Sequence, residues 1–497
     1  MQNLTEMNRL WIRMQYESTK ERSQIEADRK ELVIALGENL ILLSSLESVD
    51  AFIYQSYVLP RLLELIHNCK DTLSQQCLLE CIMKTFSDEF HAYTLEELLV
   101  AFSNLRHIVK TNPFFISLAN RLSLYAIKNP KEIEKKNKNL FGPFQNYIER
   151  MLDEEGEIIE LDRFLDLEIP FLKFSISCYP KNFDNVKCII EHIASLIQLQ
   201  HKNNFTEEEQ KGIAKLLGIA LKPFSIPILD MQQFTSLLNC LPEPLKIDLT
   251  KKILIGLGNS SKRIKSIETA DKVINLIMPL IDMHIESKIE LEDIHTNIAK
   301  ITHLIQLPDP QQTFFIIMKV KEIFSIGGAI SMKYTYPALA WELYCLGGSI
   351  SIQHSKDEDM KSLQLAVFQL AHHLVESIVP LGTVTALKLF LQGALTLNSI
   401  GFKGEDTEKL LLKYLYKAFA MYKEELDDKE EKYKVLVLMI GTLDQITLNS
   451  TEKHIELINK VIEYVSSLKN IKDQLSGLLM CSHLCVKYPK VILLSSE

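Results

Sequence analysis

The sequence is short of chain breakers. Of its 497 residues only 17 are glycine and 16 proline, below average usage, which disfavours a fold made of many tight turns and short strands. Strand-type alternation of apolar and polar residues is not sustained anywhere. The phosphate-cradling signatures G-x-x-x-x-G-K-[ST] and G-x-G-x-x-G are missing, as are H-E-x-x-H and G-x-S-x-G, so the usual nucleotide, zinc-hydrolase and nucleophile-elbow chemistries find no support. Long apolar runs are missing too: "VLVLMIG" from Val435 falls far short of the roughly 18 residues a membrane span needs. The first residues, "MQNLTEMNRLWIRMQ", hold no continuous apolar stretch and do not read as a signal peptide. Positive charge is in deficit, 55 Lys and Arg against 64 Asp and Glu for a net charge of -9, which argues against a nucleic-acid binder held mainly by phosphate contacts. The nine cysteines are odd in number and scattered, as expected of free thiols in a reducing compartment. A cytoplasmic protein is expected, where the sequons at Asn204, Asn259 and Asn449 carry little meaning.

What is present is helical spacing. Hydrophobic residues make up 47% of the chain and charged residues 24%, enough to exclude wholesale disorder. Leu412, Leu415, Phe419 and Tyr422 step by three and four, as do Ile455, Ile458, Ile462 and Val465, and Leu436, Ile440, Leu443 and Thr447. Thr94 with Glu97, Thr206 with Glu209 and Asn449 with Glu452 have capping-box spacing. Turns are expected at "CYPKN" around Pro180, "LPEPL" around Pro242, "LPDPQ" around Pro308, "SIGGA" around Gly327 and "KGED" around Gly404. Helices of about 12 to 20 residues joined by short turns, in units of roughly 40 residues, predict an all-α chain: an elongated HEAT-like α-solenoid of antiparallel helix pairs. The reading divides it into central repeats over 1–290 and C-terminal repeats over 291–497, continuous with the first. The segment from Lys128 to Asp162, with basic Lys131, Lys135, Lys136 and Lys138 and then acidic Asp153, Glu154, Glu155 and Glu157, is expected to be a longer exposed connection. The mixed-charge stretch Glu17 to Glu31 reads as a solvated helix.

No set of residues converges on a reaction. In "CSHLC", Cys481 and Cys485 share a helix face while His483 points about 200° away, so one ion cannot reach all three on an intact helix. His372 and His373 face different ways, and Glu89 with His91 reads as a structural pair. Cys77 and Cys81, four apart, read as buried thiols. Glu424, Glu425, Asp427 and Asp428 lie in a polar turn between helices that solvation explains. No catalytic residue, cofactor or metal is expected. Gln392-Gly393 sits inside the apolar stretch "VTALKLFLQGALTLNSIGF"; the stripe Val384, Leu387, Leu391 and Leu395 runs through it, so Gly393 is expected within a helix, where a neighbour approaches closely, at a cost of about 1 kcal/mol in helix propensity.

Several blocks resemble the retromer large subunit, the vacuolar protein sorting-associated protein 35 family. They are "TEMNRLWIRMQ" from Thr5, "RKELVIALGENLILLSSLESV" from Arg29, "LLECIMKTFSDEFHAYTL" from Leu78, "CYP" at Cys178, "DPQQ" at Asp309, "YTYPAL" at Tyr334, "LKLFLQGALTLNSIGF" from Leu387, "KAFAMYKEEL" from Lys417, "MIGTLDQI" at Met439 and "CSHL" at Cys481, in family order. The resemblance implies a non-enzymatic scaffold of a cargo-retrieval coat, peripheral on the endosome membrane. It implies a phosphoesterase-like subunit held by the C-terminal helices, an arrestin-like subunit at the N-terminal end, sorting nexins, and indirect membrane contact. The family segment "PRLYL" does not precede Thr5, and "LPRLLEL" at Leu59 falls in the wrong place, which leaves docking of the arrestin-like subunit open. The family also continues beyond "CSHLCVKY". By position, the acidic turn "EELDDKE" matches a family turn for the actin-nucleation machinery, which singles out Asp428, with Asp427 and Glu425 beside it. A different cytosolic helical-repeat adaptor, such as a nuclear transport receptor, is the alternative reading.

Overall fold

A computed structural model of the chain describes residues 5–6, 9–10, 13, 22–68, 72–105, 109–130, 139–259, 263–281, 288–353, 358–400, 404–424, 426 and 429–487. Among these residues the fold is an all-α solenoid, its only β feature being one isolated bridge. The chain forms two compact units, Met1–Lys252 and Ile253–Glu497.

The first unit holds α1 (Arg22–Ser44); α2, a continuous rod of Ala51–Ile53, a π-helical stretch Tyr54–Val58 and Leu59–Asn68; α3 (Thr72–Thr85); α4 (Asp88–Tyr93); α5 (Leu95–Leu105); α6 (Asn112–Lys128); α7 (Phe141–Glu155); α8 (Leu161–Cys178); α9 (Phe183–Leu199); α10 (Glu207–Leu229); α11 (Gln232–Asn239); and the beginning of α12 (Glu243–Gly258). Two layers are built by next-but-one stacking. Helices α4, α6, α8 and α10 pack in succession on one side, and α5, α7, α9 and α11 on the other. Such stacking follows from the apolar pattern, because one helix pair cannot cover its own greasy faces and each needs the next. The layers meet in an aromatic core, with Phe115 edge-on to Phe144 at 5.1 Å, Phe141 stacked on Phe171 at 4.8 Å and Phe144 tilted against Phe174 at 4.8 Å. Burying each such ring is worth roughly 1.5–3 kcal/mol.

A polar clamp ties α6 to α4 and to the end of α3. Arg121 on α6 donates to the Phe86 carbonyl at 3.0 Å, to the Met83 carbonyl, and to Asp88 at 2.7 Å. A cation there faces the unpaired carbonyls at the end of α3. Helix α10 is long and apolar enough to cross a membrane by length and composition alone, but half of its apolar window is buried inside the protein. Pro223 and Pro227 interrupt it, and Phe224 leaves helical geometry (φ -127°, ψ 43°), as expected where proline removes a donor and crowds the preceding turn.

The second unit holds the end of α12, then α13 (Ile267–Ile281), α14 (Lys288–Thr302), α15 (Pro310–Ile326), α16 (Gly328–Gln353), α17 (Glu358–Ile378), a 3₁₀ turn Val379–Leu381, α18 (Thr383–Ser399), α19 (Glu405–Glu424), α20 (Lys429–Gln445), α21 (Thr451–Ser466) and α22 (Ile471–Lys487). Here α14, α16, α18, α20 and α22 stack consecutively as one layer, with α17 and α19 paired behind them. Asp309 caps α15 by accepting from the Gln311 N–H at 3.0 Å, and Pro310 occupies the first helical position. Local chemistry therefore explains the "DPQQ" block. Between α15 and α16 the chain reverses at Gly328, whose φ of +64° is a left-handed conformation suited to glycine.

Gly393 lies inside α18, as the stripe predicts. A β-carbon built there would come within 2.3 Å of the Tyr414 ring on α19 and 2.8 Å of the Tyr344 hydroxyl on α16. The close neighbours are thus two tyrosine side chains wedged from α16 and α19. Tyr344 donates to the Leu389 carbonyl at 3.0 Å and Tyr414 to the Phe368 carbonyl at 2.7 Å.

Other expectations need correction. The segment from Lys128 to Asp162 is not a plain connection: it contains α7, which buries Phe141, Phe144, Tyr147, Ile148 and Met151. Its basic cluster, Lys131 to Lys138, lies outside the described residues, as do residues 17–21 of the mixed-charge stretch, whose remainder from Arg22 to Glu31 is helical in α1. At α21 the cap is Ser450, accepting from the Lys453 N–H, whereas Asn449 donates to Glu408 of α19 at 2.9 Å. The hydroxyl of Thr94 donates locally to the Phe90 carbonyl at 3.0 Å, and Glu97 accepts from distant Gln55 at 2.6 Å, so each side chain of that pair has another partner. At Thr206 the reciprocal box forms as expected.

Candidate partner-binding surfaces and a buried polar cluster

Glu425, Asp427 and Asp428 lie outside the described residues. What flanks them is clear. Helix α19 ends at Glu424, Leu426 is buried, and α20 begins at Lys429. In "CSHLC", Cys481 is buried on α22 and His483 is exposed on another face, as helical geometry requires. His372 is buried and His373 exposed.

Three surfaces of the second unit have the features of binding sites. The first is a groove of about 650 Å³ along α17, α19 and α21, lined by His372, Glu376, Lys413, Tyr416, Lys417 and Lys453 among others. At its edge Lys409 pairs with Glu405 and Asp406, whereas Lys413 and Lys417 make no ion pair among the described residues. Lys460, which pairs with Glu456 at 2.6 Å, sits 5.5 Å from the Tyr416 ring. Four lysines with an exposed tyrosine favour an acidic ligand segment. Burial, and then the charge of Lys413, push the His372 imidazole down to about 4, so it is neutral and adds no charge to the groove.

The second is a groove of about 780 Å³ where Ile264 and Ile305 form the isolated bridge. Arg263, Lys265, His303, Gln306, Trp341 and Glu342 line it, and His303 Nδ1 lies 2.6 Å from Glu342 Oε1. The third is the outer face of α22, where Ile471, Leu475 and Leu479, four apart, are 78%, 61% and 63% exposed. A run of apolar side chains on one helix face is what a partner's groove takes up.

The first unit contains a polar cluster that the sequence reading missed. Glu168 on α8 is fully buried, and its Oε1 lies 2.8 Å from Nδ1 of His192 on α9. The other imidazole nitrogen, Nε2, lies 3.3 Å from the sulfur of Cys188, one turn earlier on α9. Ligand atoms of Glu149 on α7, Cys188 and His192 all fall within 4.8 Å of one another. Burial alone would lower the His192 imidazole, but the Glu168 carboxylate and the Cys188 hydrogen bond outweigh it and raise it to about 10. Burial likewise raises the Glu168 carboxyl, with His192 partly offsetting it. The pair therefore holds its proton between carboxylate and imidazole. The only local signal was the four-residue spacing of Cys188 and His192; Glu149 and Glu168 arrive from other helices.

Comparison with known proteins matches nearly the whole sequence. The family model described as vacuolar protein sorting-associated protein 35 matches residues 1–491. Vacuolar protein sorting-associated protein 35B of Arabidopsis thaliana is 29% identical over 509 residues, covering 97% of this chain and 62% of that protein. Vacuolar protein sorting-associated protein 35 of Dictyostelium discoideum is 27% identical over 508 residues, covering 97% and 63%, and that of Schizosaccharomyces pombe is 25% identical over 524 residues, covering 97% and 61%. The chain thus spans about three-fifths of the length of these relatives. With an unbroken family match laid over stacked helix pairs in both units, the chain belongs to the vacuolar protein sorting-associated protein 35 family.

Proposed function

We propose that this chain is a scaffold subunit of a retromer-type cargo-retrieval coat, cytoplasmic and peripheral on the endosome membrane, and that it binds partner proteins and catalyses no reaction. The observation that carries this reading is the family match over residues 1–491. The solenoid supports it physically, since each helix pair contacts only its neighbours and long faces stay free for several partners. In this reading the central repeats run over 1–290 and the C-terminal repeats over 291–497, and the C-terminal repeats hold the phosphoesterase-like subunit. The apolar face of α22 is the leading contact surface, and the basic groove along α19 receives an acidic segment. Sorting nexins supply membrane contact. Glu425, Asp427 and Asp428 face the actin-nucleation machinery.

The test is co-elution of the purified chain with the phosphoesterase-like retromer subunit on size exclusion. A stable complex is expected. Leu475→Asp with Leu479→Asp should abolish it without changing the helical circular dichroism signal, because both side chains are exposed. Separate elution of the two proteins at micromolar concentration would remove the basis for placing this chain in such a coat.

A further inference from the structure

We infer that Glu149, Cys188 and His192 form a zinc site that ties α7 to α9, with Glu168 as the group that orients the histidine. The warrant is the donor set and its geometry. A tetrahedral zinc ion with sulfur at about 2.3 Å and nitrogen at about 2.0 Å sets its sulfur and nitrogen ligands roughly 3.5 Å apart. Cys188 Sγ and His192 Nε2 are 3.3 Å apart, already near that edge length. Both leave α9 on one face, because they are four residues apart. The Glu149 carboxylate lies within 4.8 Å of both, on an exposed side chain whose Oε1 accepts from Gln145 at 2.7 Å. A small rotation of this unburied carboxylate brings an oxygen into the first sphere.

The second, independent observation is Glu168. A metal-bound imidazole characteristically donates its other N–H to a carboxylate, which fixes the ring and raises its basicity. Glu168 does this here from a fully buried position, 2.8 Å from Nδ1, leaving Nε2 turned toward the sulfur. Its second oxygen has no partner among the described residues, so the carboxylate is held for the histidine alone. On binding, Cys188 gives up its thiol proton and His192 the proton on Nε2, and both pass to solvent. One thiolate and one Glu149 carboxylate then balance the dication, and water fills the fourth position. Removing one buried charge from water without a metal is costly; the ion gives the buried pair a third partner and clips two helices of the same layer.

Cobalt(II) is the probe, because a thiolate ligand gives it a charge-transfer band in the near ultraviolet. The full-length chain, stripped with chelator, is expected to take up one cobalt per chain with that band, and excess zinc should bleach it. Cys188→Ser should remove the band, whereas Cys77→Ser, Cys81→Ser and Cys481→Ser should keep it. Glu149→Gln, at an exposed position that folding tolerates, should weaken uptake. Glu168→Gln should retain the band with about 10- to 100-fold weaker affinity, the signature of an orienting group. Absence of the band in the unaltered chain, or a band that survives Cys188→Ser, overturns the site.

Discussion

Both units bury histidines, and two of them, one from each unit, have opposite fates. In the first, His192 meets the Glu168 carboxylate at 2.8 Å and is pushed up to about 10. In the second, His372 lies among rings, 4.9 Å from Tyr414 and 5.1 Å from Phe390, and is pushed down to about 4. Burial acts on both in the same sense. The difference is one carboxylate: Glu168 is sealed beside its histidine, whereas Glu376, 3.5 Å from His372, is 39% exposed and opposed by Lys413. A solenoid thus builds either a charged pair or a neutral aromatic core into the same kind of helix pair, decided by a single inward acid.

The largest expected effect breaks the charged side of this contrast. In metal-free protein Glu168→Ala removes the carboxylate that keeps His192 protonated, so the buried imidazole turns neutral and its Nδ1 loses its only hydrogen-bond partner among the described residues, a loss of about 1–3 kcal/mol. Hydrogen exchange should show α8 and α9 opening more readily by that amount while α17 to α19 keep their protection. Local exchange is the right measure, because a two-unit chain need not unfold in one step. A Glu168→Leu, His192→Phe double variant should recover much of the loss. Unchanged protection in Glu168→Ala would mean that the pair contributes nothing to α8 and α9.

The neutral side is sharpened by acid. The folded His372 lies below its unfolded value near 6.5. Its contribution is therefore complete above that value and is lost as pH falls toward about 4. The groups facing it are Glu376, Lys413, Lys417 and His373, and protonation would place a further cation beside two lysines. Protection of α17 should drop by on the order of 2 kcal/mol between neutral pH and about 4. His372→Phe should flatten that dependence at α17. His91, also pushed down to about 4 by burial and Arg121, leaves an acid-sensitive step in the first unit that the same variant should not touch.

Packing in the second unit can be tested at Gly393. Gly393→Ala drives a methyl into the Tyr414 ring, which is fully buried and hydrogen-bonded to the Phe368 carbonyl at 2.7 Å. The ring has nowhere to retreat, so a loss of about 1–3 kcal/mol in α18 and α19 protection is expected. Adding Tyr414→Leu should make the alanine far less costly, since the two positions couple directly. Equal costs of Gly393→Ala with and without Tyr414 would remove the ring as the cause.

How far the sequence reveals this follows from the range of each interaction. The all-α stacking is legible because apolar periodicity recurs in every helix. The close approach at Gly393 is legible too, but its partners are not: Tyr344 and Tyr414 come from helices on either side in the chain. Half of the apolar stripe of α21 is read correctly: Ile458 and Val465 are buried, whereas Ile455 and Ile462 are half-buried and His454 and Val461 are buried one position before them. Packing direction, which spacing does not encode, decides such choices. The buried cluster is the least legible, because Glu149, Glu168 and the α9 pair meet only after three helices pack. The acidic positions Glu425, Asp427 and Asp428 rest on resemblance, and lie outside the described residues.

Helix caps give the smallest effect and separate local from tertiary control. At Thr206 the hydroxyl accepts from the Glu209 N–H at 3.3 Å, and Glu209 accepts from the Thr206 N–H at 2.9 Å while pairing with Lys202. Everything needed is within seven residues, and the sequence pattern suffices. At α21 the cap moves to Ser450, because Asn449 is drawn to Glu408 on α19. Thr206→Ala should therefore cost about 1 kcal/mol, confined to the first turn of α10. Asn449→Ala should instead loosen the contact with α19 and leave the first turn of α21 protected by Ser450. If Asn449→Ala frays α21 as Thr206→Ala frays α10, the cap there is local after all, and the second unit is no more dependent on tertiary contacts than the first.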